Sequence, residues 1–128
     1  MPEKISILED LRIIRVDSFG EVTASDLQAS LTEVLAIHCE RGINNVLVDS
    51  THEASYPPNF PLFEFGSNLA ADARHMRFAV ATSPATRPAA TLVKQVAANR
   101  GLILQLFDSV ETAIESLLQP WNGSTDCS

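Results

Sequence analysis

The sequence predicts a single α/β domain: a mostly parallel five-stranded sheet with one antiparallel edge strand, connected by four main helices in the order ββαβαβαβα. Three observations carry this expectation. Val46-Leu47-Val48 is a short apolar run that ends abruptly in Asp49-Ser50-Thr51-His52-Glu53, the pattern of a central strand buried on both faces. From there, strand-like and helix-like stretches alternate, which implies parallel strands joined by right-handed crossovers. The last helical stretch carries Val110, Ala113, Ile114, Leu117 and Leu118 on one face, an amphipathic clamp for the sheet.

Taken in order, Ile5 to Leu8 and Leu11 to Val16 read as a hairpin around Glu9-Asp10, with Ile5, Ile7 and Ile13 available for the core. Phe19-Gly20 is expected to turn the chain. Thr23 is a good N-cap, with Asp26 in the first turn. Leu27, Leu31, Val34, Leu35 and His38 then follow at helical spacing, and Arg41-Gly42 supplies a cation and a glycine stop. After the Val46–Val48 strand, Ser50 to Pro61 is expected to be a long loop stiffened by Pro57, Pro58 and Pro61. Leu62 to Arg74 predicts a helix weakened by Gly66, and Arg77 to Thr82 a strand. A helix starting at Ser83 or Thr86 presents Ala89, Val93, Val96 and Ala97 inward and stops at Asn99-Arg100-Gly101. Leu102 to Phe107 is the last strand. Asp108 and Glu111 form a capping box for the final helix, Pro120 ends it, and Trp121 is expected to pack back on the body. Residues 1–121 thus make one domain, followed by a polar tail, 122–128.

The 128-residue length suits one domain. A formal charge of −7 argues against a nucleic acid or an anionic membrane surface as partner, since both require a cationic face. No run reaches the ~18 apolar residues of a membrane span. Met1-Pro2-Glu3-Lys4-Ile5 shows no cationic segment followed by an apolar stretch, so no signal peptide is expected. Two cysteines, Cys39 in a helix and Cys127 in the tail, make no disulfide framework. Pairing between them is not expected, and a reducing, cytoplasmic location is.

Candidate sites cluster at strand ends, where open α/β sheets place their ligands. Asp49 could orient His52 as a base, with Ser50 and Thr51 beside them; equally, Asp49 and Ser50 serve as loop caps. Because neighbours on an extended strand point apart, Asp49 and Ser50 need not share a site. Ser83, Thr86 and Arg87 open a helix and offer an anion site, or simply an exposed first turn. Tyr56, Phe60, Phe63 and Phe65 either line an apolar pocket or surface, or close the core as a lid. His38, Cys39, His52 and His75 lack the paired spacing of metal ligands, so neither a metal nor a cofactor is expected. A hydrolase or transferase would need Asp49 and His52 to converge on Ser83.

Three local signatures add a resemblance: Asn45-Val46-Leu47-Val48-Asp49, Ala97-Ala98-Asn99-Arg100-Gly101, and Phe107-Asp108-Ser109-Val110-Glu111-Thr112-Ala113. With the element order, they resemble the STAS-type anti-sigma-factor-antagonist fold and its SpoIIAA-like relatives, over about residues 4 to 121. The resemblance implies a protein-interaction or regulatory module, its expected surface the Asp49–Phe65 region and the adjacent Ser83–Arg87 turn, and the lack of a catalytic constellation argues against an enzyme. The regulatory members carry a phosphorylatable Asp-Ser-Ser-Gly motif where this chain has Tyr56-Pro57-Pro58-Asn59-Phe60-Pro61, so the serine switch does not carry over. Related lipid-binding CRAL-TRIO domains keep a second reading open by analogy: a small apolar or amphipathic ligand under the aromatic residues, its head group held by Arg87 or His52. A protein partner is the leading expectation, and a homodimer through a sheet edge or helix face is compatible with it.

Overall fold

The apolar alternation that predicts a hairpin at the start of the chain produces one. In the computed structural model, which describes residues 3–120, β1 (Glu3–Leu8) pairs antiparallel with β2 (Ile13–Glu21). A single 3-10 turn over Glu9–Leu11 connects them, and Arg12 closes it at φ +53. There follow α1 (Ala24–Arg41), β3 (Asn45–Ser55), α2 (Asn59–Asp72), β4 (Arg77–Ala81), α3 (Arg87–Ala98), β5 (Ile103–Phe107) and α4 (Val110–Leu117). The strands lie side by side in sequence order, and every pair after the first is parallel. The expected five-stranded sheet with an antiparallel edge and four helices is present.

Thr23 caps α1 through a reciprocal box with Asp26: each backbone N–H meets the other's side chain, at 3.2 Å and 2.9 Å. Gly42, at φ +67, ends the helix by donating to His38 O. Because the strands follow one another in order, successive right-handed crossovers put α1, α2 and α3 on one face. Ile14, Val16, Val46, Val48, Phe78, Val80 and Leu104 point toward those helices. The alternate residues Ile13, Leu47 and Ala79 pack under α4 against Ala113 and Leu117.

Several boundaries differ from expectation. The strand at Asn45 does not stop at Asp49: it runs to Ser55, because β2 itself continues through Phe19 and Gly20 to Glu21 and supplies pairing partners. The expected loop shrinks to the residues around Pro57 and Pro58. Pro61 lies inside the first turn of α2, where its missing N–H has no intrahelical partner to lose. Gly66 is a packing device: a Cβ there would stand 3.1 Å from Val96 Cβ, so its absence lets α2 approach α3. The final helix is capped by Ser109, whose hydroxyl accepts from Thr112 N, while Asp108 turns instead to Arg87. Cys39, expected as a free thiol, is disulfide-bonded. Cys127 and Trp121 lie outside the described residues.

Candidate functional site

Where β2 and β3 run out together, their register slips twice. Asp17 pairs with Asp49, Phe19 with His52, Gly20 with Glu53 and Glu21 with Ser55. The first slip inserts one extra residue into β3, and an odd insertion reverses which face the following side chains occupy. Asp49 therefore points to the α4 side, whereas Glu53, four residues on, joins Ser50 on the side of the three helices. Its partner, Gly20, contributes no side chain to crowd that face.

The result is an apolar cavity of about 130 Å³ between the sheet and α1, α2 and α3. Its walls include Val16, Val46, Val48 and Val80 from the strands and Leu31, Leu69 and Val93 from the helices. Tyr56 and Phe65 also line it. Its polar residues lie toward the carboxyl ends of the parallel strands, joined there by the start of antiparallel β1: Glu3, Ser18, Ser30, Ser50, Glu53 and Thr86.

Glu3 is only 8% exposed. Its carboxylate accepts from Ser30 Oγ at 2.6 Å and from Ser18 Oγ. Burial raises its pKa, the two serine hydrogen bonds oppose that rise, and the charge of Asp26 adds to it. Glu53 is pushed up to about 7, by desolvation first and by the charge of Glu3 second. Neither carboxylate has an ion-pair partner among the described residues. Two acidic side chains lining one apolar cavity, both raised by burial and Glu53 further by the charge of Glu3, are the main electrostatic anomaly here, and such anomalies concentrate at binding and catalytic sites.

The residues singled out in the sequence divide between this cavity and other places. Ser50, Tyr56 and Thr86 line it. Ser50 donates to Ala81 O at 2.8 Å and meets Thr86 Oγ1 at 3.3 Å, tying β3 to the start of α3. Asp49 accepts from Thr51 N and Thr51 Oγ1 on the opposite face, with Arg15 at 3.5 Å. His52 is exposed. Ser83 accepts from Thr86 N and so closes the turn before α3. No hydrogen bond joins Asp49, His52 and Ser83 among the described residues. Arg87 donates to Asp108 Oδ1 at 3.2 Å and Thr82 Oγ1 at 3.3 Å, and it does not line the cavity. Phe60 and Phe63 stand outside it, 71% and 44% exposed, with the Arg100 guanidinium 5.7 Å from the Phe63 ring centre.

Glu3, Ser18 and Ser30 are not among the candidates that the sequence offers, and Glu53 enters there only as the end of the polar stretch after Val48, with no role. The alternation Glu3, Ile5, Ile7 carried a signal for the first, because the core-facing period extends back to it. Nothing local marked Glu53, whose orientation depends on the bulge. His38 is a core residue, its Nδ1 3.0 Å from Ile43 O. No group of three or more His, Cys, Asp or Glu is placed to hold a metal among the described residues.

A second opening, of about 260 Å³, lies at the other end of the strands, lined by Arg12, Asn44, Asn45, Arg77 and Gln119 among others. It is polar, and its guanidiniums are engaged: Arg77 donates to Leu117 O and Gln119 O, Arg12 to Arg41 O. The smaller apolar cavity has the character of a ligand pocket.

Sequential strands, an antiparallel first strand, three helices on one face and one on the other make a SpoIIAA-like fold. The chain is similar to a crystal structure of an uncharacterized protein of the DUF3478 family with a SpoIIAA-like fold, from Shewanella loihica PV-4. The TM-score is 0.57 at 16% identity, covering 90% of this chain and 91% of that one, a likeness of fold alone. No protein-family model and no curated protein matches the chain.

Proposed function

We propose that this STAS-like domain is a non-enzymatic binding module whose ligand is a small amphipathic molecule held in the cavity under α1, α2 and α3. One observation carries the reading: the largest core in the protein is left unfilled where strand ends converge. Protein interiors are ordinarily close-packed. The lining of this cavity is apolar and incompletely packed by the protein's own side chains, and a ligand that filled it would supply the missing contacts and cover apolar surface. An engineered cavity of about 150 Å³ accepts benzene, so the body that fits is of that size.

The test is a titration with toluene, followed by methyl NMR of Val16, Val48, Val80 and Leu69. Saturable shifts at those methyls are expected. Their absence, together with native mass spectra of freshly purified protein that show no retained small molecule, would overturn the reading.

A second reading rests on the exposure of Phe60. Tyr56, Phe60 and Phe63 at the rim offer a docking surface for a protein partner, the regulatory use that the fold class suggests. On that reading Phe60→Ala abolishes capture of the partner from extract and leaves the melting temperature unchanged.

A further inference from the structure

We infer that the cavity's ligand is a primary amine, its hydrocarbon body in the apolar volume and its ammonium group held by Glu3 and Glu53. The inference rests on the cavity being a binding site and adds the chemistry of the head group.

Every titratable side chain that lines the cavity carries an acid, and none is a Lys, Arg or His. The serine and threonine hydroxyls do little to balance this excess of acceptors, because their protons are engaged, Thr86 Oγ1 donating to Ser83 O, which leaves the Tyr56 phenol as the further hydroxyl among the described lining residues. Ser18 and Ser30 already donate to Glu3, and Ser50 donates to Ala81 O. Glu53 receives no hydrogen bond from the described residues, so its two oxygens remain open to a donor. A carboxylate or phosphate head would meet the like charge of Glu3 and Glu53, with the Tyr56 phenol as its hydroxyl donor among the described lining residues. A neutral alcohol would satisfy at most one acceptor with its single proton. An ammonium offers three donors and the missing positive charge.

Burial and the neighbouring Glu3 charge raise Glu53 toward neutrality; the charge of a bound cation would oppose that rise. The arrangement thus favours a cation over an isosteric neutral molecule, because the charge pair forms in a partly desolvated place.

The experiment compares four probes of one size by calorimetry at pH 7.5: toluene, benzyl alcohol, benzylamine and benzoate. Benzylamine is expected to bind at least about tenfold tighter than benzyl alcohol, the equivalent of about 1.4 kcal/mol, and benzoate to bind least. Glu53→Gln should bring benzylamine to the level of benzyl alcohol while leaving toluene unchanged. Glu53 is the preferred variant because Glu3 also organises Ser18 and Ser30, and a thermal melt verifies that the variant folds.

If toluene binds and benzylamine is no tighter than benzyl alcohol, the amine assignment fails and the cavity reading stands. If the amine preference survives in folded Glu53→Gln, the assignment of Glu53 to the head group fails. If no probe binds, both readings fall.

Discussion

The two faces of this sheet are built from the same strands and packed to opposite ends. Under α4, Ile13, Leu47 and Ala79 pack with Ala113 and Leu117, and the charges beyond them are matched: Arg15 pairs with Asp17 and Asp49, and the Thr51 hydroxyl donates to Asp49. Under α1, α2 and α3 the core is larger, yet it keeps a cavity and two carboxyls without an ion-pair partner among the described residues. One short helix can seat its apolar stripe flush on a few strands. Three helices must satisfy one another as well as the sheet, and the space they fail to close lies at the strand ends. A filled and neutralised face serves stability; an unfilled and uncompensated one is where a ligand has something to supply.

The contrast predicts unequal responses to substitution. Leu117→Ala, on the tightly packed face, is expected to cost about 2–5 kcal/mol, measured by chemical denaturation; a loss below 1 kcal/mol would show that this face is looser than its geometry. Ala79→Val on the same face should cost about 1–3 kcal/mol through overpacking. Val48→Ile, which adds one methylene toward the cavity, should instead be neutral or stabilising by up to about 0.8 kcal/mol. Equal losses from that pair would erase the distinction between the faces.

The unmatched carboxyls add a pH signature. Glu53 has its folded pKa raised, from 4.5 to about 7. Its contribution to stability is therefore fully present below about pH 4.5 and is lost as pH rises through about 7. Wild-type protein should lose stability between about pH 5 and 8 in part through this group, and Glu53→Gln should flatten that decline. Because Glu53 is only half-buried and partly screened, the gain of the variant at pH 8 is about 1 kcal/mol, read from paired denaturation curves. A steeper decline in the variant would contradict the assigned sign. The smallest effect belongs to Phe60→Ala: at 71% exposure, its truncation should change stability by less than about 0.5 kcal/mol. A large loss would return Phe60 to the role of core lid.

Much of this architecture was legible in local pattern. The period of the α1 face, the Thr23 cap, the Gly42 stop and the apolar run at Val46 each report on a few residues' neighbours, and each element appears where its signal lies. The misplaced boundaries have a common cause. Thr51 to Ser55 and Phe19 to Glu21 are unremarkable alone and form strand because they pair with each other. Asp108 made a plausible cap until Arg87, 21 residues away, engaged it. Part of the candidate site is legible in the same limited sense: Ser50 and Thr86 stand out as residues near strand ends, but so do Asp49 and Arg87, which face elsewhere, and of the aromatic cluster Tyr56 and Phe65 line the cavity while Phe60 and Phe63 do not.

Periodicity, caps and glycine stops determined the class of fold and the order of its elements, because those signals act within one or two turns of chain. Which side of the sheet each polar residue serves was decided by tertiary structure alone. One extra residue in β3 carries Glu53 to the face of Ser50, β1 brings Glu3 beside Ser18, and Gly66 sets how closely α2 meets α3. These are relations between distant segments, and only their packing together creates the cavity and leaves its carboxyls without an ion-pair partner among the described residues.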